Sequence, residues 1–194
     1  ASYEEISEHM AREIDVQNSL ENASMDWDGG YVMGGLLGHG DAFVLRDPSG
    51  IRPAYYYEDD EVVVVASERP AIQTAFNVKY EHVREIRPGH ALTIKSTGET
   101  DMVQIREPLE KLSCSFERIY FSRGSDQDIY RERMELGRKM VPAILEAIEH
   151  DMDRTVFSFI PNTAEVSFYG MIKQLEVAHN QSKIGIIKKG GLSD

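Results

Sequence analysis

The chain has 194 residues, 41% of them hydrophobic and 28% charged, with a formal net charge of −12. That is enough apolar material for one large core or two small ones, and the acidic balance excludes a nucleic-acid binder, which needs a basic face. No apolar run has the length of a membrane span, and the charged first twenty residues do not read as a signal peptide, so no membrane partner is expected.

The single cysteine, Cys114, cannot form an internal disulfide and points to the reducing cytoplasm. The charge is unevenly placed. Residues 1–105 balance at −11 and residues 106–194 at −1, a first indication of two units. The second tolerates an anionic ligand better than the first.

Ser2 and Glu5 have capping-box spacing, and Ile6, Met10 and Ile14 follow at helical intervals. A second short helix is expected over Gln17–Ser24. From Tyr31 the period becomes that of strands: Tyr31–Leu37, Asp41–Arg46, Ala54–Tyr57 and Glu61–Ala66, separated by turn residues. This predicts an antiparallel meander. Ser67 is expected to cap a helix through Phe76, with Pro70 in its first turn. A hairpin, His90–Lys95 and Asp101–Ile105, closes an α+β half.

Residues 106–113 read as a linker. Beyond it, Phe116–Phe121 is strand-like, and Asp128–His150 is a helix with Tyr130, Met134, Val141, Ile144, Leu145 and Ile148 on one face. Gly137 and Pro142 are expected to kink or split it. Thr155–Ile160 has the continuous apolar character of a buried parallel strand, and Asn162 or Thr163 is placed to cap a helix with Val166, Tyr169, Ile172 and Leu175 inward. Ile184–Ile187 offers another strand in the tail Lys183–Asp194. A doubly wound sheet takes about five strands, so this half reads as one cut short.

Several strings invite a functional reading. Arg46-Asp47-Pro48-Ser49-Gly50-Ile51-Arg52-Pro53 is, taken alone, a type I turn flanked by arginines that pair with surface carboxylates. Trp27-Asp28-Gly29-Gly30-Tyr31 allows close backbone approach, and Arg87-Pro88-Gly89 is a turn before a strand. Cys114 to Arg123 packs two arginines beside aromatics. That is a buried strand edge on one reading and a phosphate site on another. Ile160-Pro161-Asn162-Thr163-Ala164-Glu165 places a helix N-terminus after a strand, an anion-binding arrangement that Glu165 opposes. His39, His90 and Cys114 are the parts of a self-standing hydrolase, but nothing in their spacing assembles them.

Taken in order, the two-glycine string, Gly38-His39-Gly40, residues 46–53, Ala66-Ser67-Glu68, Arg87-Pro88-Gly89-His90 and residues 114–123 resemble the amidophosphoribosyltransferase family over about Ser2 to Met171. The resemblance implies an α+β fold, part of an N-terminal-nucleophile-type glutaminase sandwich of two sheets between helices. The start of an α/β phosphoribosyltransferase domain follows. It assigns residues 1–105 to the C-terminal part of a class II glutamine amidotransferase domain, 106–113 to the linker, and 114–194 to the transferase domain.

The implied activity releases ammonia from glutamine and passes it to phosphoribosyl pyrophosphate, the first step of purine synthesis. The full enzyme is expected to use Mg²⁺, to be a homo-oligomer and to answer to purine nucleotides. The family's glutaminase begins with a nucleophilic cysteine, whereas the first residue here is Ala1. The glutamine-holding arginine, the Asn-Gly oxyanion pair and the Val-Arg-Gly-Thr-Thr pyrophosphate loop do not occur. Arg123-Gly124-Ser125-Asp126 replaces the usual Arg-Pro-Asp-Ser.

No catalytic residue is therefore assigned, and the chain alone is expected to be inactive. By resemblance, Tyr120 matches a tyrosine beside a nucleotide-inhibitor site. Cys114 matches the first of four cysteines that hold an iron–sulfur cluster in some members. One thiol holds no cluster, so a buried inert cysteine is expected. The alternative function is a non-enzymatic binding or regulatory module on the same scaffold.

Overall fold

The computed structural model describes residues 2–190, the side chain of Arg12 excepted. The chain divides into two compact units, residues 1–118 and 119–194. The expected linker 106–113 lies inside the first of them.

In the first unit, α1 (Tyr3–Glu13) carries the expected capping box: Glu5 N–H donates to Ser2 Oγ at 3.2 Å and Ser2 N–H to Glu5 Oε2 at 2.7 Å. Helix α2 (Val16–Ala23) is capped by Asp15, which accepts from Asn18 N–H. The strands are β1 (Val32–Leu36), β2 (Ala42–Arg46), β3 (Tyr55–Glu58) and β4 (Val63–Ala66). Helix α3 (Arg69–Phe76) follows, then β5 (Arg84–Glu85), β6 (His90–Ile94) and β7 (Thr100–Gln104). Glu68 rather than Ser67 is the residue before α3, and it makes no side-chain cap.

The expected meander is instead two hairpins in two sheets. One sheet runs β1-β2-β6-β7 and the other β4-β3-β5, all pairs antiparallel. Residues 47–54 carry the chain from one sheet to the other, a crossing that local patterning does not reveal.

Register sorts the side chains into layers. Leu45, Ala91 and Ile105 meet Leu20 of α2, with Val16, Trp27, Phe43 and Val103 around them. The alternate residues Val44, Leu92, Ile94 and Met102 face Ala54, Tyr56 and Ile86 of the second sheet. The opposite face of β3 carries Tyr55 and Tyr57. Tyr57 packs on Phe76 of α3 at 6.1 Å between ring centroids, and the Arg69 guanidinium lies over Tyr55. The order helix, sheet, sheet, helix is the two-sheet sandwich that the resemblance implies. Leu45 and Leu92 are fully buried, and each such side chain contributes about 1.5–3 kcal/mol. Ile6 and Met10 of α1 stay about half exposed.

The second unit differs more from expectation. Residues 116–121 form no strand: Glu117–Phe121 is a π-helical turn spanning the unit boundary. Thr155–Ile160 has no ladder partner, and Val156 and Ile160 are 93% and 85% exposed. Ile184–Ile187 is helical, within α5. Among the described residues of this unit there is no strand. β-propensity expresses itself only where a neighbouring edge completes the hydrogen bonds.

The two helices are α4 (Gln127–Ala147) and α5 (Glu165–Lys188). Neither Gly137 nor Pro142 splits α4. Its buried stripe is Ile129, Arg133, Gly137 and Val141, whereas the expected inward residue Tyr130 is exposed. Asp126 caps α4, and α5 begins after Ala164 without a side-chain cap from Asn162 or Thr163. The glycines explain the stripe. A Cβ on Gly137 would lie 1.7 Å from Ser167 O, and one on Gly170 would lie 2.0 Å from Met134 O. The pairing of 137 with 167 and of 134 with 170 makes the helices antiparallel, backbone against backbone. No described helix is long and apolar enough to cross a membrane. The last residues of the expected basic tail, 191–194, and Ala1 lie outside the described residues.

Candidate functional site

The string at 46–53 builds the densest polar centre of the first unit. Pro48 fits the second position of the turn, closed by Gly50 N–H on Asp47 O at 3.1 Å. Asp47 is fully buried. Its carboxylate accepts from Ile51 N–H at 2.9 Å and Arg52 N–H at 3.1 Å. Its own N–H reaches Tyr31 O, and its carbonyl also accepts from Gly89 N–H.

Arg46 does not lie on the surface, as the turn reading expects. It is 2% exposed, and its guanidinium donates to Arg52 O, Ile86 O, Gly50 O and the Glu85 carboxylate at 2.6–3.0 Å. A planar fork at the end of β2 satisfies four acceptors from two segments, which a lysine cannot do. Arg52 pairs with Glu117, itself 8% exposed. The sequence showed the arginines. Their partners Glu85 and Glu117 carry no local signal, since they are brought in from 39 and 65 residues away.

A second charged cluster sits at the β1–β2 loop. The Asp41 carboxylate accepts from Lys95 Nζ at 2.8 Å and Ser96 N–H at 2.9 Å, with His39 Nε2 3.3 Å away. Burial pushes the Asp41 carboxyl up, but the bonds from Lys95, Ser96 and His39 outweigh it and hold its pKa at about 2. His39 thus lies beside Asp41, and the His90 ring bonds Pro88 O at 2.9 Å. No nucleophile–base pair is made from them.

Cys114 is half-buried rather than buried. These residues supply one of the four thiolates that an iron–sulfur cluster takes. Among the described residues no three His, Cys, Asp or Glu side chains gather as a metal-holding group. Tyr120 lies on the π-helical turn, 65% exposed, edge-on to Phe121 with centroids 5.2 Å apart. The arginines expected to line a phosphate site at 114–123 have no strand end to gather on. The helix N-terminus at 160–165 likewise follows no strand. Buried Arg133, its pKa lowered by desolvation, donates to Ser122 O at 2.7 Å.

No family model matches the chain. Curated relatives do. The amidophosphoribosyltransferase of Methanothermobacter thermautotrophicus is 26% identical over 88% of this chain and 34% of its own length. That of Saccharomyces cerevisiae is 29% identical over 84% and 34%, and that of Pasteurella multocida 28% over 77% and 31%.

Among solved structures, the fold matches glutamine phosphoribosylpyrophosphate amidotransferase from B. subtilis complexed with ADP and GMP. The TM-score is 0.62 at 21% identity, over 91% of this chain and 38% of that one. It also matches a structure described as the allosteric regulatory enzyme of purine biosynthesis, at a TM-score of 0.64, 21% identity, and 88% and 36% coverage. The chain spans about a third of the length of the curated relatives it matches. Curated homologues named amidophosphoribosyltransferase thus match most of this chain, and the two solved structures share its fold.

Proposed function

We propose that this chain is part of a glutamine-dependent amidophosphoribosyltransferase and that, alone, it completes neither active site. The observation that carries the reading is coverage. The likeness runs through 84–88% of this chain, across both units, yet accounts for about a third of each relative. On this reading the two-sheet unit is part of the ammonia-releasing domain and the helical unit begins the phosphoribosyl-transferring one. The full enzyme works in the cytoplasm on glutamine and phosphoribosyl pyrophosphate, with Mg²⁺ and as a homo-oligomer.

The chemistry supports inactivity of the piece. Glutamine hydrolysis takes a nucleophile, a base in hydrogen-bond reach and donors aimed at the oxyanion. His39 lies 3.3 Å from Asp41 and the His90 ring bonds Pro88 O, and no described hydrogen bond joins the one thiol to either. Phosphoribosyl pyrophosphate carries several negative charges and takes backbone donors and Mg²⁺ to hold it. Tyr120, exposed on its turn, is the proposed contact for a purine nucleotide.

The test measures ammonia release from glutamine and pyrophosphate release from the sugar donor, at high protein concentration. The 194-residue chain is expected to give neither. The longer reading frame, beginning with cysteine, is expected to give both, with nucleotide inhibition weakened by Tyr120→Ala. Turnover by the chain alone, abolished by a point substitution within it, refutes the reading. A longer reading frame without activity supports the binding-module alternative.

A further inference from the structure

The segment between the two-sheet core and the unit boundary is exposed along residues 107–113, yet it is tied at both ends and in the middle. Ile105 and Arg106 N–H both donate to Gly89 O at 2.9 Å. Gly89 has φ +71°, and a Cβ there would meet Arg106 O at 2.5 Å, so the approach depends on glycine. The Arg106 guanidinium reaches Ser24 O at the end of α2. Leu109 N–H donates to Pro48 O at 2.8 Å and Leu112 N–H to Ser49 O at 2.9 Å. Lys111 Nζ stands 3.7 Å from the Glu85 carboxylate that Arg46 also holds. The last tie is the Arg52–Glu117 pair.

We propose that residues 107–117 are a releasable strap, rooted at the buried Ile105, seated on the Asp47–Arg52 loop and closed by the Arg52–Glu117 ion pair. The Pro48 and Ser49 carbonyls belong to a loop that Arg46 and Asp47 hold from inside, so that network presents a fixed pair of acceptors to the strap. Ordering an exposed segment costs backbone entropy at every residue, and a few solvent-facing hydrogen bonds roughly balance that cost. In such a balance one further tie decides whether the segment lies down or lifts. Glu117 is the buried partner of that tie and Arg52 the half-exposed one. This inference concerns the first unit alone and does not depend on the enzymatic reading.

The test uses the full chain and two mild variants, Arg52→Ala and Glu117→Gln, with their double. Amide exchange at Leu109 and Leu112 is expected to rise several-fold in each single variant, on the order of 3 to 10. Trypsin cleavage after Lys111 is expected to rise with it. The double variant is expected to exceed neither single, because both remove one tie. Exchange of the Leu45 amide, deep in β2, serves as the measure of global opening and is expected to stay unchanged. Unchanged exchange at 109 and 112, multiplicative effects in the double, or an equal rise at Leu45 each overturn the proposal.

Discussion

Replacing Asp47 by alanine tests whether the 46–53 loop is held from inside. The sequence alone supports a loss typical of one capping bond, about 0.5–2 kcal/mol. The structure raises that figure. The carboxylate is fully buried and accepts two backbone N–H groups, Ile51 at 2.9 Å and Arg52 at 3.1 Å. Alanine leaves both donors without a partner, at about 1–3 kcal/mol for each group that water cannot reach. Arg52 is exposed and its amide rehydrates in part, so the expected loss is about 2–4 kcal/mol.

Trp27, the one tryptophan, packs on the Leu45 cluster and reports on the two-sheet unit by fluorescence. In urea, with a slope of about 1–3 kcal/mol per molar, the midpoint is expected to fall by about 1–2 M without a change in slope. Asp47→Asn keeps one acceptor oxygen and is expected to fall between wild type and alanine. A shift below about 0.5 kcal/mol for alanine, the range of an ordinary surface substitution, refutes the argument.

Gly137→Ala is expected to destabilise the α4–α5 pair by about 1–3 kcal/mol in thermal melts followed by helical circular dichroism, because a Cβ 1.7 Å from Ser167 O has no rotamer to escape into. Gly185→Ala, in the same helix pair but with nothing within 4 Å, is the control and is expected to be neutral or to gain up to about 1 kcal/mol. Arg46→Lys is expected to cost about 2–4 kcal/mol in urea melts, since an ammonium at one point cannot serve four acceptors and strands some of them. Asp41 has its carboxyl lowered from 3.8 to about 2, so its stabilisation is complete above pH 4 and is lost as pH falls toward 2. Urea midpoints of wild type against Asp41→Asn are expected to converge over that window, by about 2 kcal/mol.

Much of the first unit was legible in the chain. Strand period, turn residues and the Ser2–Glu5 cap each depend on neighbours a few positions away, and each element formed within a residue or two of its expected limits. The short strand β5 was not, because two residues carry no period. The separation of one apparent meander into two sheets was not legible either. It depends on which face residues 47–54 turn toward, and Arg46 ties the Gly50 and Arg52 carbonyls of that loop to Ile86 O and the Glu85 carboxylate, which lie far along the chain.

In the second unit, local sequence determined a helix over most of Asp128–His150, ending at Ala147, and another after residue 164, while tertiary contact decided the rest. Gly137 reads in sequence as a weak point, and only its close approach to the Ser167 backbone makes it the crossing of two helices. Thr155–Ile160 and Ile184–Ile187 have strand composition, but a strand is a hydrogen-bonded relation between segments. Without a paired edge the first joins no ladder and the second joins a helix, whose bonds are made within its own chain.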